Sequence, residues 1–240
     1  YRNQYYGAIE NMDNAIGRLM DFLEKYNLDE NTIVIFTSDN GSQVASSDNP
    51  LRGEKVFNYE GGIRVPFVVK WPGKVPAGNV SEVAGSFTDI LPTLAAFSGI
   101  NLPGERKYDG ENLSEVFLNN IDYAREKPVF FFRYFHEPVT MLREGDWVLL
   151  GYHDDPLPYL KDYNPVETAK LKPEPDKPRW SMWGFQEAHM EYLKTAVPHN
   201  FELYNIREDI SQEHDLKDKY PKIAEQMKAT TLRLRNEMID

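Results

Sequence analysis

The acid-amide pair Asp39 and Asn40 follows directly behind the apolar run Ile-Val-Ile-Phe at residues 33–36. A carboxylate and a carboxamide oxygen suit calcium or magnesium, because both ions prefer oxygen ligands. In an open α/β sheet, ligands collect outside the carboxyl ends of parallel strands, which is where this pair would stand. The pair therefore predicts part of a hard-cation site, and other segments must add ligands, since calcium takes ~6–8 oxygens. The alternative is a plain turn, for which Asp, Asn and Gly are the usual residues.

Positive charge gathers just after this pair. Residues 51–74 have a local charge balance of +3, in a chain whose net charge is −11. The basic residues of this segment are Arg52, Lys55, Arg64, Lys70 and Lys74, and the acidic ones are Glu54 and Glu60. Such a cluster favours a site for an anion, although charges also cluster by chance.

The amino-terminal part of the chain has the alternation of helix and strand that is typical of an α/β fold. Apolar residues at steps of four and three predict an amphipathic helix over residues 3–26, with one face toward a core. The run 33–37 predicts a strand covered on both faces, as in a parallel sheet. A second short strand is predicted at 65–70, and a helix at 88–97. Two such strands are too few for a complete doubly wound sheet, so we expect further strands outside this chain.

The pattern of apolar and turn residues changes near residue 125. Short apolar runs at 129–134, 139–143 and 147–152 are separated by turn residues, which predicts antiparallel strands. Prolines crowd residues 156–178 and disfavour regular structure there. A closing helix is predicted from Pro221 to about Met238. We therefore divide the chain into an α/β portion, residues 1–125, and an antiparallel sheet with helices, residues 126–240.

The composition excludes several classes of function. The chain has no cysteine, which removes disulfides, thiolate metal sites and a cysteine nucleophile. Its net charge of −11 argues against general binding to nucleic acid. No apolar run approaches ~20 residues, so we expect no membrane span. The phosphate-binding motif G-x-x-x-x-G-K-[ST] is absent as well.

Several segments together resemble the type I sulfatase family of the alkaline-phosphatase-like superfamily. They follow the first helix in the family's order: TSDNG, YEGGIRVP with a lysine five residues before its glutamate, FTDILPTLAAFSGI, LREGDWVLL and ELYNIREDISQEHDL. The resemblance covers most of the chain except residues 154–200. It implies an incomplete alkaline-phosphatase-like α/β/α sandwich followed by a smaller antiparallel sheet with helices.

The resemblance also implies roles for individual residues. Asp39 and Asn40 would be calcium ligands, and Lys55 would contact the sulfate group of the substrate in a catalytic role. His136 lies where sulfatases often place a substrate-contacting histidine, so it is a candidate substrate-binding residue. Arg64 would have a structural part, and no catalytic role is expected for Arg52. The alternative for Lys55 is a solvated loop lysine.

The family's nucleophile is not found in this sequence. Type I sulfatases use a formylglycine made within a Cys/Ser-x-Pro-x-Arg motif, and no such motif occurs here. We therefore expect the formylglycine in a missing amino-terminal half, which would be this chain's partner, and we expect the isolated chain to be inactive. The expected substrate is a sulfated small molecule or carbohydrate. The family resemblance favours a periplasmic or extracellular location.

Two alternatives to a sulfatase remain open. One is a phosphoesterase of the same superfamily, with a Thr or Ser nucleophile upstream. The other is a non-catalytic module that binds an anionic glycan through Lys55 and an aromatic lip formed by Trp180, Trp183 and Phe185.

Overall fold

The structure is a computed structural model that describes residues 2–42, 50–55, 57–133, 140–152 and 197–239. The chain divides into two compact units. Unit 1 comprises Tyr1–Ser47 and Arg64–Lys127, and unit 2 comprises Asp48–Ile63 and Pro128–Asp240. The boundary expected from sequence lies near residue 125, whereas the structural division also assigns residues 48–63 to unit 2.

The described helices and strands alternate early in the chain and become mainly strands later. Those of unit 1 are α1 (Arg2–Lys25), β1 (Val34–Thr37), β2 (Phe67–Lys70), α3 (Ile90–Phe97) and α4 (Ser114–Asn119). Those of unit 2 are α2 (Glu60–Ile63), β3 (Val129–Phe132), β4 (Thr140–Glu144), β5 (Trp147–Tyr152), β6 (Asn200–Asn205) and α5 (Pro221–Ile239).

Helix α1 forms where the apolar periodicity predicts it, but most of its apolar face is exposed. Leu23 is the buried member of the face, at 9% exposure, and Ile16 is half-buried. The other members stay exposed: Tyr5, Ile9, Met12 and Leu19. The prediction that this face lies against a core is therefore wrong for the described residues, and the helix presents an apolar surface.

Strands β1 and β2 form a two-stranded sheet whose direction differs from the prediction. They pair antiparallel, with Val34 opposite Lys70 and Thr37 opposite Phe67. Parallel neighbours require a crossover connection, usually a helix packed on the sheet. The described residues between β1 and β2 contain only the four-residue α2, which belongs to unit 2. The predicted parallel pairing, and the burial of β1 on both faces, are therefore wrong, because all four β1 residues are half-buried.

A buried charge cluster fixes the region around α3 in unit 1. Ser86 begins a capping box with Asp89, in which the Asp89 carboxylate accepts the Ser86 amide hydrogen at 2.7 Å. The same carboxylate, 3% exposed as a residue, receives two hydrogen bonds from Arg125 at 2.6 and 3.0 Å. It also accepts the Glu111 amide at 2.7 Å. Asp89 in the FTDILPTL segment thus has a structural part, since paired burial of both charges holds distant segments together.

Unit 2 contains a four-stranded sheet of order β3-β4-β5-β6, antiparallel throughout. This confirms the predicted antiparallel arrangement of the first three strands. Strand β6 is not predicted from sequence, although its alternation of polar and apolar residues has the strand period of two. Helix α5 forms over Pro221–Ile239, close to its predicted bounds.

The two faces of this sheet bury different partners. One face packs against α5, in a cluster that contains Leu142, Leu149, Leu203 and Met227, with Ile223 and Leu234 beside it. The opposite face contains Met141, Val148, Leu150 and Tyr204, and it packs against Tyr59 and Ile63. Tyr59 and Ile63 therefore hold their part of the chain to the sheet by apolar contacts, in addition to the polar contacts described below.

Asp215 accepts a hydrogen bond from the middle of β6, and it gives a pH-dependent prediction. Its Oδ1 accepts the Leu203 amide at 3.0 Å, and its Oδ2 pairs with the Lys217 ammonium at 2.8 Å. Burial acts to raise the pKa of Asp215, but the hydrogen bonds from Leu203 and Lys217 outweigh it, so the pKa lies below the usual value. The ionised form therefore adds stability above an unfolded pKa of ~3.9 and loses it as the pH falls through the lower folded value.

We expect Asp215→Ala to lower the free energy of unfolding at pH 7 by up to about 1 kcal/mol, because solvent screens part of this interaction. The difference from the parent protein should shrink as the pH falls below ~4. Urea unfolding at several pH values measures it, with Asp218→Ala, another exposed aspartate, as control. A difference that grows on acidification would contradict the assigned sign.

Candidate functional site

Asp39 and Asn40 lie just beyond the carboxyl end of β1, as the sequence predicts, but in a bend. The Ser38 hydroxyl donates a hydrogen bond to the Asn40 carbonyl oxygen at 3.0 Å, which closes this bend. Asp39 is exposed and Asn40 is half-buried. Within the described residues the Asp39 carboxylate makes no hydrogen bond or ion pair, so both of its oxygens remain accessible to a ligand.

The donor set of this pair fits a hard cation in kind but not in number. The Asp39 carboxylate and Asn40 amide are oxygen ligands of the type that calcium takes. Two residues cannot supply ~6–8 ligands. Among the described residues, no group of three or more His, Cys, Asp or Glu side chains is placed to hold a metal ion. The pair can therefore contribute to a calcium site only together with ligands from elsewhere.

Lys55 lies in a tight loop of unit 2. The Phe57 amide donates to the Glu54 carbonyl oxygen at 3.1 Å, and Lys55 stands within the turn that this bond closes. Its side chain is half-buried. In the part of the chain that the structure describes, the Lys55 ammonium has no hydrogen-bond or ion-pair partner. A half-buried ammonium without a counter-ion is well suited to receive an anionic group.

Two glycines close the loop at its base. The Gly61 amide donates to the Arg52 carbonyl oxygen at 2.7 Å, and the Gly62 amide donates to the Tyr59 carbonyl oxygen at 2.9 Å. A Cβ on Gly61 would lie 2.6 Å from the Arg52 oxygen, and a Cβ on Gly62 would lie 2.0 Å from the Phe57 oxygen. Such contacts are sterically forbidden, so the chain can return this closely only with glycine at both positions.

Arg52 ties the loop to the sheet. Its Nη1 donates to Glu202 Oε2 at 3.3 Å, to the Tyr204 hydroxyl at 3.0 Å and to the Gln212 carbonyl oxygen at 3.2 Å. Its Nη2 donates to the Tyr59 hydroxyl at 3.2 Å, and the guanidinium lies 4.1 Å from the centre of the Tyr59 ring. Arg52 therefore joins both arms of the loop to residues that come about 150 positions later.

Glu202 is the acceptor at the centre of this cluster. Its Oε2 accepts the Tyr152 hydroxyl hydrogen at 2.5 Å and the Tyr204 hydroxyl hydrogen at 2.8 Å. The Tyr59 and Tyr152 hydroxyl oxygens are 3.3 Å apart, within hydrogen-bond distance. We call Arg52, Tyr59, Tyr152, Glu202 and Tyr204 the arginine-tyrosine cluster. On the other arm, the Gln212 side-chain oxygen accepts the Glu60 amide hydrogen at 3.0 Å.

The protonation states of the cluster are set by burial and by neighbours. Burial raises the pKa of Tyr152 far above its usual value, and the hydrogen bond to Glu202 raises it further. The same two causes raise the pKa of Tyr204. Burial acts to lower the pKa of Arg52, but the hydroxyl groups of Tyr152, Tyr59 and Tyr204 outweigh it and raise the pKa. Tyr152 and Tyr204 thus remain neutral donors and Arg52 remains charged at neutral pH.

Sequence reasoning gave Arg52 no catalytic role and did not single out Glu202. A signal for the second residue exists in the strand NFELYN, where Glu202 and Tyr204 are two positions apart and therefore share a face. Nothing in the sequence shows that this face meets the loop 51–63, because the two segments are far apart along the chain.

The other predicted site residues are placed as follows. Asp39 and Asn40 belong to unit 1, and Lys55 belongs to unit 2. Their convergence at one centre stays a prediction. His136 and the aromatic lip at residues 180–185 lie outside the described residues, as does the predicted irregular stretch at 156–178. Arg64 is exposed and has interaction partners of its own.

Comparisons with known proteins found sequence similarity to sulfatases. The family model named Sulfatase matches residues 1–100. The N-acetylgalactosamine-6-sulfatase of Canis lupus familiaris is 35% identical to this chain over 138 residues, which is 55% of this chain and 26% of the relative. The chain thus spans about a quarter of the length of the curated relatives it matches. These matches support the type I sulfatase family.

Solved structures with the same fold cover most of the chain. A sulfatase from Pseudoalteromonas sp., PsFucS1, superposes with a TM-score of 0.66 at 22% identity and covers 93% of this chain and 40% of its own. The phosphonate monoester hydrolase of Agrobacterium radiobacter superposes with a TM-score of 0.60 at 18% identity, over 97% of this chain and 40% of its own. The predicted fold class, an alkaline-phosphatase-like α/β fold with a following antiparallel sheet, is confirmed.

Proposed function

We propose that this chain is the carboxyl-terminal portion of a calcium-dependent sulfatase, to which it contributes two calcium ligands and one contact to the sulfate group. The observation that carries the proposal is the match of residues 1–100 to the Sulfatase family, because this range holds Asp39, Asn40 and Lys55. The free carboxylate of Asp39 and the unpaired ammonium of Lys55 in the described structure support it.

The chemistry of sulfate ester hydrolysis fits these residues. The anionic sulfate group must be held beside a nucleophile, and fixed positive charge offsets the charge on its oxygens and on the leaving oxygen. Lys55 supplies one such charge from a loop that glycines and hydrogen bonds keep in place. Asp39 and Asn40 would hold calcium, which adds a second positive charge when bound. We expect the nucleophile, a formylglycine, in the amino-terminal half.

The exposed apolar surface of unit 1 supports a partner segment. Most of the apolar face of α1 is exposed, and so are Phe67 and Val68 of the two-stranded sheet. Large apolar side chains exposed in such numbers commonly mark surfaces that another polypeptide covers. We propose that the missing amino-terminal half of the sulfatase covers it. Among the described residues, no helix is both long and apolar enough to cross a membrane. A periplasmic or extracellular location stays a prediction.

The names of the relatives support a proposal for the substrate class. The name of the dog relative specifies a sulfated amino sugar, so we propose a sulfated carbohydrate or small sulfate ester as substrate. A phosphoesterase is the second candidate, because a phosphonate monoester hydrolase shares the fold. The fold does not discriminate between the two, since Lys55 and a calcium ion would suit either anion. A non-catalytic glycan-binding module is the third.

The proposal predicts that activity needs both portions. A full-length protein that carries these 240 residues should hydrolyse a chromogenic aryl sulfate faster than the corresponding aryl phosphate. The isolated chain at equal concentration should hydrolyse neither, because the formylglycine motif does not occur in its sequence. Turnover of aryl sulfate by the pure isolated chain would overturn the division of roles. Faster hydrolysis of the phosphate ester by the full-length protein would favour the second candidate.

Calorimetry of the isolated chain distinguishes the third candidate, a non-catalytic glycan-binding module, from the two enzymes. Incomplete sites bind their ligands weakly, so we expect weak binding of sulfated oligosaccharides at most. Tight binding by the isolated chain, with no hydrolysis by the full-length protein, would favour the glycan-binding module.

A further inference from the structure

The loop that carries Lys55 is anchored on both sides of that residue. Arg52, three positions before Lys55, donates to Glu202 and Tyr204 of the β6 strand and to the Gln212 carbonyl. After Lys55, the Tyr59 hydroxyl receives a hydrogen bond from Arg52. The next backbone amide donates to the Gln212 side chain. The backbone around Lys55 is thus fixed relative to the last strand of the sheet.

We propose that Arg52 is a positioning residue for Lys55, with Glu202 as its anchor, and that the arginine-tyrosine cluster sets the place of the Lys55 ammonium. This inference rests on the proposed function, since Lys55 is taken there as the contact to an anionic ester group. Arg52 acts through the loop and does not itself touch the substrate.

The donors of Arg52 explain why it is not the anion contact. Its Nη1 already has three oxygen acceptors, and its Nη2 has the Tyr59 hydroxyl. The carboxylate of Glu202 lies 3.3 Å from Nη1, so an incoming anion would meet negative charge beside this guanidinium. Lys55 has neither a carboxylate partner nor a hydrogen bond in the described part of the chain. Arg52 and Lys55 therefore have different roles.

The exposure of the Arg52-Glu202 pair favours positioning over stability. The side chains are 33% and 31% exposed, and ion pairs with this exposure contribute little to the stability of a fold. The effect of Arg52 on the position of the loop is larger. Its guanidinium binds three acceptors on β6 and the following turn, and it also binds the Tyr59 hydroxyl of the loop. A shift of about 1 Å in a catalytic group costs on the order of 100-fold in rate.

A double-mutant cycle on the full-length protein tests the proposal. Arg52→Ala should lower kcat/KM by about 10- to 100-fold. In a Lys55→Ala background, the same change should have an effect of less than about threefold, because the group that Arg52 positions is already gone. Arg207→Ala is the matched control, since Arg207 forms an exposed ion pair with Asp146 in the same unit. It should leave kcat/KM within about twofold.

Glu202→Gln is the second variant, which keeps the size of the side chain and an acceptor oxygen. Like Arg52→Ala, it should lower kcat/KM. In the Lys55→Ala background it should have almost no effect. The thermal midpoint of each variant is recorded beside its rate. Additive effects of Arg52→Ala and Lys55→Ala, or an Arg52→Ala effect within twofold, would overturn positioning.

The cycle also separates this inference from the proposed function. It is measured with whichever ester, sulfate or phosphate, the full-length protein hydrolyses, and in parallel as the affinity for inorganic sulfate by calorimetry. If neither ester is hydrolysed, the proposed function fails, while non-additive losses of sulfate affinity still support positioning. If Lys55→Ala changes neither rate nor affinity, Lys55 is not the anion contact and positioning is overturned with it.

Discussion

Lys55→Ala in a full-length protein that carries these residues is expected to lower kcat/KM for an aryl sulfate by about 10²- to 10³-fold, the usual cost of one lost electrostatic contact in a transition state. The physical reason is the half-buried position of an ammonium that has no counter-ion among the described residues. Its full charge is therefore available to the sulfate oxygens, and the fixed loop spares the cost of reorienting it.

The control for this prediction is Lys74→Ala. Lys74 belongs to the same positively charged stretch but is exposed. If bulk attraction of the anion were the cause, both substitutions would lower kcat/KM by similar factors, and added salt would weaken both effects. A contact at the reacting group predicts a large loss for Lys55 alone. If both substitutions lower kcat/KM by the same small factor, Lys55 is a solvated surface lysine.

Asp39→Ala is expected to lower kcat/KM by about 10³-fold and to abolish stabilisation by calcium. A divalent ion contributes several kcal/mol to charge stabilisation, and each ~1.4 kcal/mol is tenfold in rate. Independently of activity, calcium should raise the thermal midpoint of the full-length protein, because a ligand that binds only the folded state stabilises it. That rise should be lost in the variant.

Asp109→Ala is the matched control for the calcium prediction. Asp109 is an exposed aspartate of the same unit, so its removal changes the net charge equally. It should leave both the activity and the calcium-dependent rise in thermal midpoint intact. If the Asp39→Ala protein keeps the full calcium response, Asp39 is not a calcium ligand and is only a turn residue.

Local sequence patterns predicted the elements that depend on short-range physics. The apolar period of α1, the β-branched run before Asp39 and the turns around β4 and β5 each produce the expected element within one residue of its predicted bounds. The direction of β1 against β2 was not predictable in this way. The direction depends on how the chain runs between the two strands. The sequence of that connection has no helical periodicity from which a crossover helix could be predicted or excluded.

The site shows the same division between local and distant causes. Asp39, Asn40 and Lys55 stand out in the sequence because they belong to short motifs. The arginine-tyrosine cluster does not, because Arg52 and Tyr59 are separated from Glu202 and Tyr204 by most of the chain. The structure also shows that Gly61 and Gly62 permit two backbone segments to approach within hydrogen-bond distance.

The distance along the chain between Arg52 and its acceptors has a consequence for biosynthesis. A ribosome delivers Lys55 well before it delivers Glu202, Tyr204 and Gln212, so the early segment emerges without the groups that hold it. Closing so long a connection is entropically costly and comes late in folding. The loop that carries Lys55 would then be held in place only after β6 and Gln212 have left the exit tunnel, so a shorter nascent chain would not yet position Lys55.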